Sequence, residues 1–360
     1  MRTFSVIVIM ILLYSCSTTE WQPFSNKDYN TFTEEAVPEL QSVVLEPDAH
    51  TLFTDSLIFP GRLLTVGHYL IVAENKGSHP FHIYNLETEE YIQAGTFGQG
   101  PSEVLIAWNM SPIDEESFLV LDGMQKKVVA YNVQDLINGK GALWENKIDP
   151  QGLAGCPIYK DNSIFYLKEV SGEQRLYELN LDTQEEIGYG ALPEKENTSV
   201  AEHVHSQAFQ ALMARRGDDF VISYRLASFF EVFDAKTNSW EATQGPDQFN
   251  PIYKQTSHEG SPMFAMIDGT RSAYLDICAG EEYTYLLYDG DELDVNSFGA
   301  QGNTLFMLDS NGKVVKKQEI ATDLGAMTVY NDSVIYGIRY DVEPELVKYT
   351  LHPTTPKDAI

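Results

Sequence analysis

The side chains with the most chemical potential are few and scattered. His203-Val-His205 would set two imidazoles on one face of a strand, an arrangement metals use. No third ligand stands nearby and Glu202 would point away, so a polar loop is the competing reading. Asp289-Gly-Asp-Glu-Leu-Asp294 gathers four carboxylates, the oxygen donors calcium takes. Asp289, Asp291 and Asp294 are its candidate ligands, but the rest of a calcium-loop pattern is missing and solvated acidic loops suit an acidic chain. No other metal or cofactor is indicated. Nucleophilic machinery finds no support: there is no G-x-S-x-G elbow, no HExxH and no cysteine beside a histidine. Cys156 and Cys278 read equally as one disulfide or two buried thiols.

A second set of candidates comes from a repeat. Leu70-Ile-Val-Ala-Glu74, Phe118-Leu-Val-Leu-Asp122 and Ile164-Phe-Tyr-Leu-Lys168 share one pattern, an apolar run closed by a charge. Phe220–Arg225, Tyr285–Asp289 and Val334–Arg339 repeat it. If each run ends towards the same face near a central channel, Glu74, Asp122, Lys168, Arg225, Asp289 and Arg339 form a mixed-charge ring. Tyr224, Tyr288 and Tyr340 would stand beside it as stacking surfaces. Polar groups with aromatic planes suit a sugar or a peptide. The competing reading is that these residues simply begin polar loops.

The runs begin at 70, 118, 164, 220, 285 and 334, spaced by 48, 46, 56, 65 and 49 residues. Each is followed by a second strand ending in a turn-former, as in His82-Ile-Tyr-Asn85 and Glu231-Val-Phe-Asp234. Short Val-, Ile-, Tyr- and Phe-rich runs broken by Gly, Asn, Asp and Pro read as strands and turns. Six such units predict an all-β, six-bladed β-propeller of four-stranded antiparallel blades. The continuous apolar character of the runs fits strands sandwiched between neighbouring blades. The C-terminal tail carries Pro353 and Pro356 and makes a poor strand, so the missing outer strand is assigned to Glu39–Leu45, closing the ring on the last blade.

The ends of the chain set its location. Arg2 and the apolar run Val6–Leu13 form a secretory signal too short to span a bilayer. Leu13-Tyr14-Ser15-Cys16 resembles a bacterial lipobox, which implies cleavage after residue 15 and a lipidated Cys16. With Ser17 following, the resemblance implies an outer-membrane lipoprotein, held by acyl chains such as palmitate. The expected organisation is a signal at 1–15, a tether at 16–38 and one propeller at 39–360. Hydrophobic content of 43% supports a packed core, and a net charge of −29 disfavours nucleic acid.

Phe97-Gly-Gln-Gly-Pro-Ser-Glu103, Ser223–Asp234, Tyr285–Gly290 and Asn303–Lys313 together resemble the TolB-like six-bladed β-propeller lipoproteins. That family is defined by architecture, so the resemblance carries no catalytic residues. The leading expectation is a noncatalytic binding or interaction module for a peptide, glycan or protein partner. A propeller-type hydrolase or lyase working at the central channel is one alternative; a scaffold in an envelope complex is another.

Overall fold

A computed structural model describes residues 29–41, 43–48, 56–148, 153–168, 174–193, 199–293 and 300–351. The signal, Cys16 and Asp294 lie outside them. The chain opens with β1 (Asn30–Thr31) and then builds six meander sheets in sequence order. Blade one holds β2 (Pro60–Val66), β3 (Tyr69–Glu74), β4 (Phe81–Asn85) and β5 (Tyr91–Ala94). Blade two holds β6 (Ala107–Pro112), β7 (Ser117–Asp122), β8 (Lys127–Asn132) and, after the short helix α1 (Val133–Ile137), β9 (Trp144–Lys147). Blade three is β10 (Leu153–Lys160), β11 (Ser163–Lys168), β12 (Gln174–Asn180) and β13 (Glu186–Ala191). Helix α2 (Glu202–Ala208) leads into blade four, which is β14 (Ala211–Arg216), β15 (Asp219–Tyr224), β16 (Phe229–Asp234) and β17 (Ser239–Gln244). A separate hairpin, β18 (Tyr253–His258) and β19 (Ser261–Met266), precedes blade five: β20 (Tyr274–Ala279), β21 (Thr284–Tyr288), β22 (Gly302–Leu308) and β23 (Val314–Leu324). Blade six has three strands, β24 (Ala326–Tyr330), β25 (Val334–Tyr340) and β26 (Pro344–Thr350).

The architecture is the six-bladed propeller expected from the repeat. The apolar runs are the second strand of every blade, and their alternation explains their composition. Leu70 and Val72 pack towards blade six while Ile71 and Ala73 pack towards blade two. Phe118 and Val120 turn to blade one, and Leu119 and Leu121 to blade three. Both faces are buried, so both must be apolar. The six hydrophobic clusters correspond to the six junctions between neighbouring blades, including that of blades six and one.

The N-terminal segment wraps the rim. β1 pairs in parallel with β17, the outer strand of blade four, setting Asn30 opposite Thr243. Glu39 and Leu45 then bridge to Lys317 and Ile320 of β23 in blade five. The last blade is met by Leu45, buried in the cluster between blades five and six, and by Asp48, whose N–H donates to the Lys348 carbonyl at 2.7 Å. Val37, inside the expected tether, is buried in the cluster between blades four and five. Among the described residues, no helix is long and apolar enough to cross a membrane.

Candidate functional site

The innermost strands β2, β6, β10, β14, β20 and β24 touch one another in ring order, with β24 meeting β2. In four of them the register with the second strand shifts near the start: between Pro60 and Leu63, Ala107 and Asn109, Ala154 and Ile158, and Tyr274 and Asp276. Such bulges re-aim side chains. Arg62 lies within one of them, and Asp276 stands at the end of another.

A cavity of about 360 Å³ occupies the channel from this level downwards, lined by all six innermost strands. Asn109, Met213, Asp276 and Thr328 are buried at its inner end. Gly67, Pro112, Asp114 and Glu115 are exposed at the other, so the cavity opens among the turns that join first to second strands. Its walls carry Thr65, whose hydroxyl donates to the Val329 carbonyl at 2.8 Å, and Ser111, whose hydroxyl donates to the Pro157 carbonyl. These two bonds each join the innermost strand of one blade to that of its neighbour.

Asp276 organises the inner end. Its carboxylate meets the Arg62 guanidinium at 3.0 Å and accepts the Met327 N–H at 2.8 Å, linking blades five, one and six. Burial pushes its carboxyl above the ordinary aspartate range, opposed by Arg62, by the Met327 and Ile277 N–H groups and by the charge of Arg225. Burial likewise raises the Cys278 thiol, which keeps this wall residue a poor nucleophile. Among the described residues lining the cavity there is no histidine.

The turns around the mouth carry carboxylates. The six turns between first and second strands, residues 67–68, 113–116, 161–162, 217–218, 280–283 and 331–333, contain Asp114, Glu115, Glu116, Asp161, Asp218, Glu281, Glu282 and Asp332 and no lysine or arginine. Lys160, just outside, pairs with Asp161 and Asp218, and Arg215 donates to the Tyr159 carbonyl.

None of the nine residues expected to bind ligand lines this cavity. They stand at or beside the ends of the second strands, on the opposite face, as the pairings Pro60 with Glu74 and Ala107 with Asp122 show. Glu74 accepts the N–H groups of Ile58, Phe59, Asn75 and Lys76 at 2.8–3.0 Å. Asp122 accepts those of Leu105, Met124 and Gln125. Lys168 pairs with Glu186 and Arg339 with Glu345. Asp289 accepts the Ser272 hydroxyl. Tyr224 is buried and donates to Glu231, Tyr288 is buried and donates to Asp247, and Tyr340 donates to the Pro60 carbonyl. Arg225 and Tyr340 act on the cavity's inner end only from outside it, Arg225 through its charge on Asp276 and Tyr340 through the charges of Arg62 and Asp276.

His203 and His205 fall on helix α2 instead of a strand. His205 is buried between the Tyr253 hydroxyl and the Pro193 carbonyl, and His203 meets the Pro262 carbonyl. Among the described residues no group of three or more His, Cys, Asp or Glu is placed to hold a metal. Asp291 is exposed beside Asp289; Asp294 lies outside the described chain. Arg62 and Asp276 escaped the sequence reading. The available signal was an aspartate inside the otherwise apolar strand Tyr274–Ala279.

No curated protein sequence matches the chain. A member of the DUF4221 family from Bacteroides vulgatus is similar in structure, with a TM-score of 0.54 at 12% identity, covering 85% of this chain and 95% of that one. A Bacteroides fragilis protein described as exported gives a TM-score of 0.52 at 12% identity, covering 89% and 98%. At such identity the likeness concerns the fold. The family model described as TolB-like 6-blade propeller-like matches residues 31–332, nearly the whole described propeller, and the chain belongs to that family.

Proposed function

We propose that the protein is a noncatalytic binding module of the cell envelope, held at the outer membrane by lipid on Cys16, which takes a small ligand, or the end of a longer one, into its channel. The observation that carries this reading is the cavity of about 360 Å³ reached by all six blades and open at one face. Its size suits a small molecule or a single side chain. The buried Arg62–Asp276 pair gives the inner end a fixed polar surface, and the carboxylate-only turns favour neutral or cationic ligands over anions. The raised Cys278 thiol supports binding without covalent chemistry at this wall residue. The Arg2 charge, the Val6–Leu13 run and the Leu13–Cys16 lipobox support the location.

Titration calorimetry with hexylammonium, hexanol and hexanoate tests the reading. Hexylammonium should bind most tightly and hexanoate about tenfold more weakly. Ala279→Phe, which narrows the mouth, should abolish all binding while leaving the melting temperature near that of wild type. Saturable binding that survives this substitution, or no binding by any of the three, contradicts the proposal.

A further inference from the structure

The face opposite the cavity mouth carries a different chemistry. Four large apolar side chains, Ile58, Phe59, Trp108 and Met124, are each more than half exposed on blades one and two. Ile58 and Phe59 stand on blade one and Trp108 and Met124 on blade two, and the two blades' chains come together here, where Gly61 passes beside the Ala107 carbonyl. Each pair is held by a buried acid at the end of a second strand. Glu74 receives the Ile58 and Phe59 N–H groups, and Asp122 receives that of Met124. The Trp108 indole lies on Gly123 so closely that any Cβ there would overlap the ring. The apolar groups are therefore fixed on short, hydrogen-bonded backbone before anything meets them, which removes much of the ordering cost of association.

The charges bordering this patch are cations. Lys76 sits 5.0 Å above the Phe59 ring, and Lys126 is exposed beside Met124. Neither forms an ion pair among the described residues, in a chain with 24 basic and 53 acidic side chains. The nearby acids Glu74, Asp122 and Glu103 are engaged with backbone N–H groups. Exposed aromatic and aliphatic groups rimmed by unpaired lysines mark an interaction site, and tryptophan is the residue type that most often dominates one.

We infer that the Ile58–Phe59–Trp108–Met124 patch docks a partner protein through a segment carrying both apolar side chains and carboxylates. Lys76 and Lys126 meet the carboxylates, and Trp108 anchors the apolar groups. A flat anionic membrane is disfavoured as the occupant because it would face the −29 charge of the whole chain, whereas a short segment meets chiefly the patch and its lysines, the remaining charges being screened. This surface is separate from the cavity and does not depend on its having a ligand.

Two fluorescently labelled nine-residue peptides of alternating Asp and Phe or Leu, one as such and one with Lys replacing every Asp, test this by fluorescence polarisation. The acidic peptide should bind saturably and its lysine twin should not. Trp108→Ala should weaken binding about thirtyfold, and Lys76→Glu with Lys126→Glu about tenfold or more. None of these exposed changes should lower the melting temperature by more than a degree or two. Equal binding of both peptides, no saturable binding of the acidic one, indifference to Trp108→Ala, or binding to phosphatidylglycerol vesicles in preference to the peptide would each overturn the inference.

Discussion

Asp276→Ala should be among the most damaging single substitutions in the channel. The side chain is 8% exposed and bonds to Arg62 of blade one and to the Met327 N–H of blade six. Removing one partner of a buried ion pair costs about 3–5 kcal/mol. The Arg62 side chain keeps 19% exposure and lines the cavity, which sets the loss near the lower end. Leaving the Met327 N–H without an acceptor adds about 1 kcal/mol. Together these give about 3–4 kcal/mol, a large share of the ~5–15 kcal/mol that typically holds a domain folded. Urea unfolding should show a lower midpoint at an unchanged slope. Asp276→Asn keeps an acceptor for Met327 and should lose about half as much. A loss under about 1 kcal/mol for Asp276→Ala, or equal losses for the two variants, would refute the claim that this carboxylate ties three blades together.

Other expectations concern pH and backbone. Burial holds the Asp276 carboxyl above its ordinary value, so its contribution to stability is full below the unfolded aspartate value and is lost as pH rises through the raised one. Arg62→Met removes the main opposing charge and should extend that loss to higher pH in urea titrations; an unchanged profile would count against it. Burial also lowers the pKa of His82, whose ring meets the Tyr91 hydroxyl at 2.6 Å. Its contribution is full above the unfolded histidine value of about 6.5 and is lost as pH falls through the lowered one, so His82→Gln should flatten the acid side of the stability curve. Gly67 has φ +52°, and a Cβ there would lie 2.5 Å from the Glu115 carbonyl oxygen. Gly67→Ala should cost about 2 kcal/mol, whereas Gly217→Ala, with φ +63° and open space around it, should cost about 1 kcal/mol. Equal losses in thermal melts would remove the steric part of that argument.

The sequence made the second strands legible and the channel illegible, for one physical reason. A strand buried on both faces must be apolar throughout, so Leu70–Ala73, Phe118–Leu121 and Tyr285–Tyr288 announce themselves. The innermost strands bury only their flanks and carry bulges, so Pro60–Val66 and Ala107–Pro112 show no clean period. The expected charged column is a real structural series, but in blades one and two it clamps loops. Glu74 and Asp122 look the same as ligand groups would in sequence, because a carboxylate that gathers backbone N–H groups and one that gathers a ligand are the same residue type. The α2 helix was missed because Glu202–Ala208 is short and its packing against Tyr253 and Pro262 is set by distant chain. The rim path of the N-terminal segment was partly readable from Glu39–Leu45, although its backbone pairing falls on blade five, while Leu45 packs into the cluster shared with blade six and Asp48 bonds to that blade.

The most direct test of ligand entry into the channel is methyl NMR of methionine-labelled protein during hexylammonium titration. Met110 and Met213 line the cavity, while Met124 and Met263 are exposed away from it. Saturable shifts at Met110 and Met213, with Met124 and Met263 unmoved, are the expected result. Shifts confined to Met124 or Met263, or none at any methionine, would contradict a binding site in the channel.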